Sequence, residues 1–261
     1  MKPYFPIRRR SYLPSGMALA WLLLALAGTA RSQTVPHAPL QLAGYHYREI
    51  IENADSSARN LPVVIALHWM GASPTSFARY VTGFSRPVRL LLVEAPYPYK
   101  QGYTFYSLSP KNYYDLPADE KMVILLKEGE RLSRFIEAAT KKNAPATKPV
   151  ILGASQGGDL SYVVATRYGH LISRACPLLA TMDNRIVTQA GKAGPTSPPI
   201  DAFHGTADPI VPIETARRHV QTLKERGFQA RLHTYEGVKH DIPDAMKADF
   251  IQLITGHLAN P

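Results

Sequence analysis

The sequence is poor in cysteine. Cys176 is the only one in 261 residues, which rules out an intrachain disulfide, and neither a CxxC pair nor a Cys/His spacing suited to structural zinc is present. Stability must therefore come from a packed core. Charge is also sparse, at 19% against 45% hydrophobic residues, a balance that excludes a disordered chain, and the length fits either one large α/β domain or two small ones. No internal repeat and no long Ser/Gly linker divides the chain, so one domain is expected over residues 33–261.

Acidic residues are absent from positions 1–32, which carry Lys2, Arg8, Arg9, Arg10 and Arg31. The apolar run from Met17 to Ala27 would rise about 16 Å as a helix, roughly half of what a bilayer core demands. Small residues follow at Gly28, Ala30 and Ser32, so residues 1–32 are expected to be an export signal cleaved after Ala30 or Ser32. A retained membrane anchor is the alternative. Arg9-Arg10-Ser11-Tyr12-Leu13 resembles a twin-arginine export motif, with Tyr for the usual Phe and Pro14 where Lys is common. The expected destination is the periplasm or the medium, with membrane contact only during export.

The formal charge of the whole chain is +10, from 30 Lys plus Arg and 20 Asp plus Glu. Removing residues 1–32 takes away five cations and leaves 25 − 20 = +5 on residues 33–261. Lys141-Lys142 and Arg217-Arg218 are short pairs on expected helix faces, and no phosphate-tracking stripe points to nucleic acid.

From residue 33 onward, β-branched or Leu-rich runs alternate with helical periodicity, the pattern of a mostly parallel sheet flanked by helices. Strands are predicted over Tyr45 to Ile51, Leu61 to Trp69, Val88 to Ala95, Lys148 to Gly153, Arg174 to Leu179, Ile200 to His204 and Ala230 to Tyr235. Helices are predicted over Asp119 to Lys142, Leu160 to Tyr168, Ile213 to Arg226 and Pro243 to Ala259. Residues Met182 to Pro199 are too short for a helical cap domain, so an open, shallow site is expected.

Val150 to Gly158 joins a buried-strand run to Gly153-Ala154-Ser155-Gln156-Gly157 and then to an apolar helix. Taken alone Gly-x-Ser-x-Gly is a weak signal. Between a strand and a helix it describes a sharp turn that lifts Ser155 above the sheet, with glycines where a Cβ would strike the neighbouring elements. A serine hydroxyl needs a positioned base to act as a nucleophile, and the base needs an orienting acid. Downstream, the strand at Ile200 ends in a turn bearing Asp208, and the strand at Ala230 is followed by a loop bearing His240.

The elbow with Gln156 and Gly158, the run His204 to Pro212 and His240 near the end resemble the α/β-hydrolase superfamily, within it the phospholipase/carboxylesterase (dienelactone hydrolase-like) branch. The resemblance spans about residues 45 to 258. It implies an α/β-hydrolase fold with no large cap, Ser155 as nucleophile, Asp208 as orienting acid, His240 as general base, and no cofactor or metal. It also implies oxyanion donors at the amides of Gln156 and Met70. His68-Trp69-Met70-Gly71 resembles the family's His-Gly-x-Gly but carries Trp69 where Gly is common. A Cys nucleophile is disfavoured, because Cys176 lies outside the elbow.

Other residues compete for these roles. His204 suits a strand-end ring that ties down a loop, His233 alternates along a strand, and His219 and His257 are expected on surface helices. Asp201, Asp241 and Asp244 are weaker candidates for the orienting acid, and Asp159 is expected to sit in the first turn of the elbow helix, facing its positive dipole end. Between Tyr97 and Tyr114 seven of eighteen residues are aromatic. With Trp69, Tyr103 and Tyr106 are the expected pocket residues, and ordinary loop packing is the alternative. The expected partner is a small-molecule ester. The function expected is a serine carboxylesterase or lysophospholipase; a polyester depolymerase or feruloyl-type aryl esterase, and a silent ligand-binding protein on the same scaffold, are the alternatives.

Overall fold

A computed structural model describes residues 39–259. The export segment, its cleavage site and the twin-arginine motif lie outside the described residues.

The strands are β1 (Leu40–Leu42), β2 (Tyr45–Glu52), β3 (Val63–Leu67), β4 (Val88–Val93), β5 (Tyr97–Tyr99), β6 (Gly102–Thr104), β7 (Val150–Ala154), β8 (Arg174–Leu178), β9 (Ile200–Gly205) and β10 (Ala230–Tyr235). The helices are α1 (Pro74–Val81), α2 (Ala118–Asn143), α3 (Gln156–Arg167), α4 (Asn184–Ala190), α5 (Ile213–Glu225) and α6 (Asp244–Ala259). Eight strands form one sheet in the order β1-β2-β4-β3-β7-β8-β9-β10, parallel from β4 to β10, with β1 and β2 antiparallel at one edge. This is the mostly parallel α/β-hydrolase sheet.

Period-2 alternation divides the core into two layers. On β3, Val63, Ile65 and Leu67 pack with Leu132, Phe135 and Ile136 of α2 and Leu160 and Val164 of α3, whereas Val64 and Ala66 pack with Phe77 of α1 and Phe250 and Ile254 of α6. The central strands are buried on both faces, and that is why they read as continuous apolar runs rather than as alternating ones.

Strand β1, helix α1, helix α4 and the two-stranded hairpin β5-β6 were not predicted. Helix α1 is brief but well signalled, with Ser73 as N-cap, Ser76 completing a capping box and Pro74 at its first position. Residues Met182 to Pro199 form no cap domain but do contain α4. Among the described residues no helix is long and apolar enough to cross a membrane.

Parallel strands deliver their loops to one edge of the sheet. The C-terminal ends of β3, β7, β9 and β10 carry His68 to Gly71, Ser155, Asp208 and His240 respectively, at the place where open α/β sheets bind ligands.

Candidate active site

Ser155 occupies the turn between β7 and α3 at φ 52°, ψ −116°, a conformation that costs a non-glycine residue roughly 1–3 kcal/mol and persists only when its surroundings enforce it. Packing enforces it here. A Cβ on Gly153 would stand 2.1 Å from the Gly157 carbonyl oxygen, and one on Gly157 would stand 2.2 Å from that of Leu67, so strand, turn and helix meet with no room for side chains. The Ser155 amide donates to the Leu178 carbonyl at 2.9 Å and pins the turn to β8.

Asp208 is buried, and its carboxylate is saturated with donors. Oδ1 accepts the amides of Ile210 and Val211 at 2.8 and 2.9 Å, and Oδ2 takes His240 Nδ1 at 2.7 Å. The other imidazole nitrogen, Nε2, lies 3.1 Å from Ser155 Oγ. With Nδ1–H given to the carboxylate, Nε2 is the acceptor that faces the hydroxyl. The loops bearing acid and imidazole are laced together, since Thr206 donates to the Tyr235 carbonyl and Ala207 to the Val238 carbonyl, both at 2.9 Å.

The competing groups make other bonds, although His204 Nε2 also lies 3.4 Å from Asp208 Oδ2 and Asp241 lines the cavity over Ser155. His204 Nε2 donates to the Val211 carbonyl at 2.8 Å and so ties down the loop that carries Asp208, and burial holds its pKa below the usual histidine range. Asp201 is buried between Arg174 and His233, nearer the start of β9. Asp241 caps the amide of Ile242 at 2.8 Å, and Asp244 opens α6. Asp159 does lie in the first turn of α3, but its carboxylate reaches the Thr181 amide at 3.1 Å, and burial raises its pKa well above the carboxylate range. His219 is not on a surface. It falls on the buried stripe Ala216, His219, Val220, Leu223 of α5, its ring meets Tyr162 edge-on at 4.5 Å, and burial lowers its pKa to about 4. That stripe has helical period and was legible, but histidine is not counted among apolar residues.

The loop after β3 is held by His68, which is fully buried. Its Nδ1 donates to the Trp69 carbonyl at 2.7 Å and its Nε2 accepts the Ala95 amide at 3.2 Å, an arrangement that requires the neutral ring. Burial accordingly lowers its pKa to about 4. The Met70 and Gln156 amides have no acceptor among the described residues.

A cavity of about 470 Å³ opens over Ser155 and His240, within the range of small-molecule sites. Its walls include Trp69, Tyr80, Tyr114, Leu179, Ile210 and Ile242. Trp69 is thus where the sequence placed it, standing edge-on to Phe77 and Tyr80 at 5.3 and 5.0 Å. Tyr103 and Tyr106 are not in the wall. Tyr103 is on β6, bonded to the loop after β3, and Tyr106 is fully buried with Tyr113 stacked on it at 4.2 Å. Of the aromatic segment, Tyr114 alone lines the cavity; Phe105, Tyr106 and Tyr113 are buried in the core, as the ordinary packing alternative has it, whereas Tyr99 and Tyr103 are half-buried and Tyr97 is exposed. Tyr80 was missed as a wall residue, and the sequence marks Tyr114 only as one of the seven aromatic residues of its segment, since no local pattern marks which ring of a cluster turns outward.

The family model described as Phospholipase/Carboxylesterase matches residues 46–258. The chain belongs to that family. Among curated relatives it is 30% identical over 145 residues to an acyl-protein thioesterase 1 of Candida albicans, covering 52% of this chain and 62% of that one. It is 27% identical over 147 residues to a probable carboxylesterase of Oryza sativa subsp. japonica, covering 54% and 60%. The alignments thus span about three fifths of the relatives' length. Among solved structures, acyl-protein thioesterase 2 of Zea mays superposes with a TM-score of 0.63 at 18% identity, over 81% of this chain and 99% of that one. The TT1662 protein of Thermus thermophilus superposes with a TM-score of 0.64 at 17% identity, over 87% and 99%. At such identities the superpositions establish the fold.

Proposed function

We propose that this member of the phospholipase/carboxylesterase family is a serine hydrolase that cleaves carboxylic esters through an acyl-enzyme on Ser155. The observation that carries the proposal is the position of the His240 ring, with Nδ1 2.7 Å from the Asp208 carboxylate and Nε2 3.1 Å from the Ser155 hydroxyl. As Oγ bonds to the substrate carbonyl carbon, its proton passes to Nε2 and the carbonyl oxygen becomes an oxyanion facing the amides of Met70 and Gln156. Collapse of the adduct breaks the bond to the leaving group, which departs with the proton from Nε2. Water then attacks the acyl-enzyme, giving its proton to the same nitrogen, and Ser155 recovers it as the acid leaves. Asp208, buried and acceptor-only, holds the ring in this tautomer and stabilises its transient positive charge.

A cavity walled by Trp69, Tyr80, Leu179, Ile210 and Ile242 suits an apolar arm on one side of the ester. The aromatic portion of that wall favours the second reading, an aryl or feruloyl-type ester, over a lipid chain. Export and cleavage, by contrast, are proposed on residues 1–32 alone; cell fractionation tests the first and amino-terminal sequencing of the exported protein the second, and protein confined to the cytoplasm overturns export while an intact Met1 overturns cleavage.

A fluorophosphonate probe is expected to label wild-type protein once, at Ser155, and Ser155→Ala is expected to lose both label and turnover of 4-nitrophenyl esters. A folded wild type that takes no label overturns the proposal. Thioesters and aryl esters offered alongside, scored by kcat/KM, sort the leaving-group class.

A further inference from the structure

Two amides on different elements must converge on one oxygen atom, Met70 on the loop after β3 and Gln156 at the head of α3. Nothing in the covalent chain fixes their separation. We propose that the side chain of Gln156 is a positioning residue, which sets that separation by fastening residues 102–105 across both elements. This rests on the serine-hydrolase reading and assigns a role that the reading does not require.

The Gln156 carboxamide is buried, and its partners determine its orientation. Its Oε1 accepts the Phe105 amide at 3.0 Å, and an N–H can only donate, so Nε2 is the nitrogen that faces Thr104 Oγ1 at 3.0 Å and Tyr114 OH at 2.7 Å. The chain runs back from Thr104 to Tyr103, which is bonded to the other element: the Gly71 amide donates to the Tyr103 carbonyl at 2.8 Å, and the Tyr103 amide to the Ala72 carbonyl at 2.9 Å. The contact is tight, since a Cβ on Gly102 would stand 2.3 Å from the Ala72 carbonyl oxygen.

These bonds hold one of the two peptide units that flank Met70 directly, and His68 and Ala72 hold the other. The Gly71 N–H shares a peptide unit with the Met70 carbonyl, and it is held by Tyr103. The Met70 N–H shares one with the Trp69 carbonyl, and that oxygen is held by His68 Nδ1 at 2.7 Å. Rotating the Trp69–Met70 unit would swing the Met70 N–H away from the oxygen it is meant to receive, and the strap reaches that unit through Ala72, whose amide donates to the Trp69 carbonyl at 3.2 Å while its carbonyl accepts from Tyr103. Gln156 therefore supplies one donor from its backbone and, through its side chain and four residues of strap, steadies the other.

The test uses Gln156→Met, which keeps length and apolar bulk but no hydrogen-bonding oxygen or nitrogen, alongside Gly102→Ala, which pushes the strap off the loop from its other end. In each variant kcat is expected to fall about 10–100-fold, the scale of a displaced reacting geometry, with KM little changed. Affinity for a trifluoromethyl ketone, whose adduct carries the oxyanion, is expected to fall in parallel. The double variant is expected to be no worse than the poorer single, because both cut one path. Circular dichroism and Tm establish folding; if Gln156→Met does not fold, Thr104→Val replaces it. A folded Gln156→Met, or Thr104→Val in its place, with wild-type kcat and ketone affinity overturns the proposal, and so do losses that multiply in the double variant. Wild-type protein that fluorophosphonate does not label overturns the hydrolase reading instead, so the two failures are distinct.

Discussion

Gly157 lies directly under the end of β3, where a Cβ would stand 2.2 Å from the Leu67 carbonyl oxygen and 2.7 Å from the Leu67 Cβ. The obstacle is backbone at the centre of the sheet, which cannot swing aside as a side-chain tip can. Gly157→Ala is therefore expected to cost about 1–3 kcal/mol or more, lowering Tm by several degrees and displacing the elbow. Gly256, within α6, has nothing within 4 Å of its added Cβ, and Gly256→Ala is expected to raise stability by up to about 1 kcal/mol. Thermal unfolding of the two variants should move in opposite directions.

Asp208 and Asp201 are both buried aspartates on or just after β9, and both are bonded to a histidine. Asp208→Asn keeps an oxygen for the amides of Ile210 and Val211 but turns the acceptor facing His240 into a donor, reversing the ring's tautomer. A loss of about 10³–10⁴-fold in kcat with the fold intact is expected. Asp201→Asn weakens a buried contact with Arg174, and breaking such a pair costs about 3–5 kcal/mol. It should lower Tm while leaving the kcat of the folded fraction close to wild type; the reverse assignment would show the opposite split.

His68 and His219 are held neutral by burial, each with a pKa lowered to about 4 from an ordinary 6.5. Between these values the unfolded chain binds protons that the folded protein refuses. Their contribution is thus present above pH 6.5 and lost as pH falls toward 4, on the order of 3 kcal/mol for each ring. Asp159 works in the opposite sense, its raised pKa favouring the folded state at lower pH, so the contrast between wild type and His219→Phe isolates the imidazole. Urea unfolding at pH 7 and 4.5 should show a shallower loss in the variant; an equal loss would refute the assignment.

Trp69 stands where the family commonly has glycine and supplies an aromatic wall with Tyr80. Trp69→Ala is expected to lower kcat/KM for aryl esters about tenfold, the scale of one lost aromatic contact, while long linear acyl esters gain or hold. Matched aryl and alkyl substrates of equal leaving group give the ratio. A ratio unchanged by the substitution would remove Trp69 from substrate selection.

Much of the fold was legible: the central strands are buried on both faces and read as apolar runs, and the partly buried outer strands are bounded by turn residues. The predicted strand over Ala230 to Tyr235 coincides with β10, and those around Val63–Leu67 and Val150–Ala154 differ from the structure only at their ends. The unpredicted elements are short: α1 has eight residues, α4 has seven, and β1, β5 and β6 have three each, too few for periodicity to emerge. Cys176, expected in a strand, is buried on β8, where burial pushes its thiol far above the usual range.

The residues at the cavity divide along the same line. Ser155, Asp208 and His240 could be named from the sequence because each sits in a turn whose local chemistry is distinctive, a glycine-flanked elbow or the loop after a strand. Their chain order and the strand ends were readable; that His240 Nε2 comes within 3.1 Å of Ser155 Oγ was not, since it depends on the parallel register of β7, β8, β9 and β10. Tyr103 and Tyr106 turned from pocket to packing for the same reason. Local sequence sets which residues can turn, cap or pair, whereas the facing of a ring in a cluster of rings is decided by which neighbour fills the space beside it. The Gln156 carboxamide shows this most plainly: its place beside Ser155 is written in the sequence, but its partners at Thr104 and Phe105 lie more than fifty residues away and meet it only when the sheet has formed.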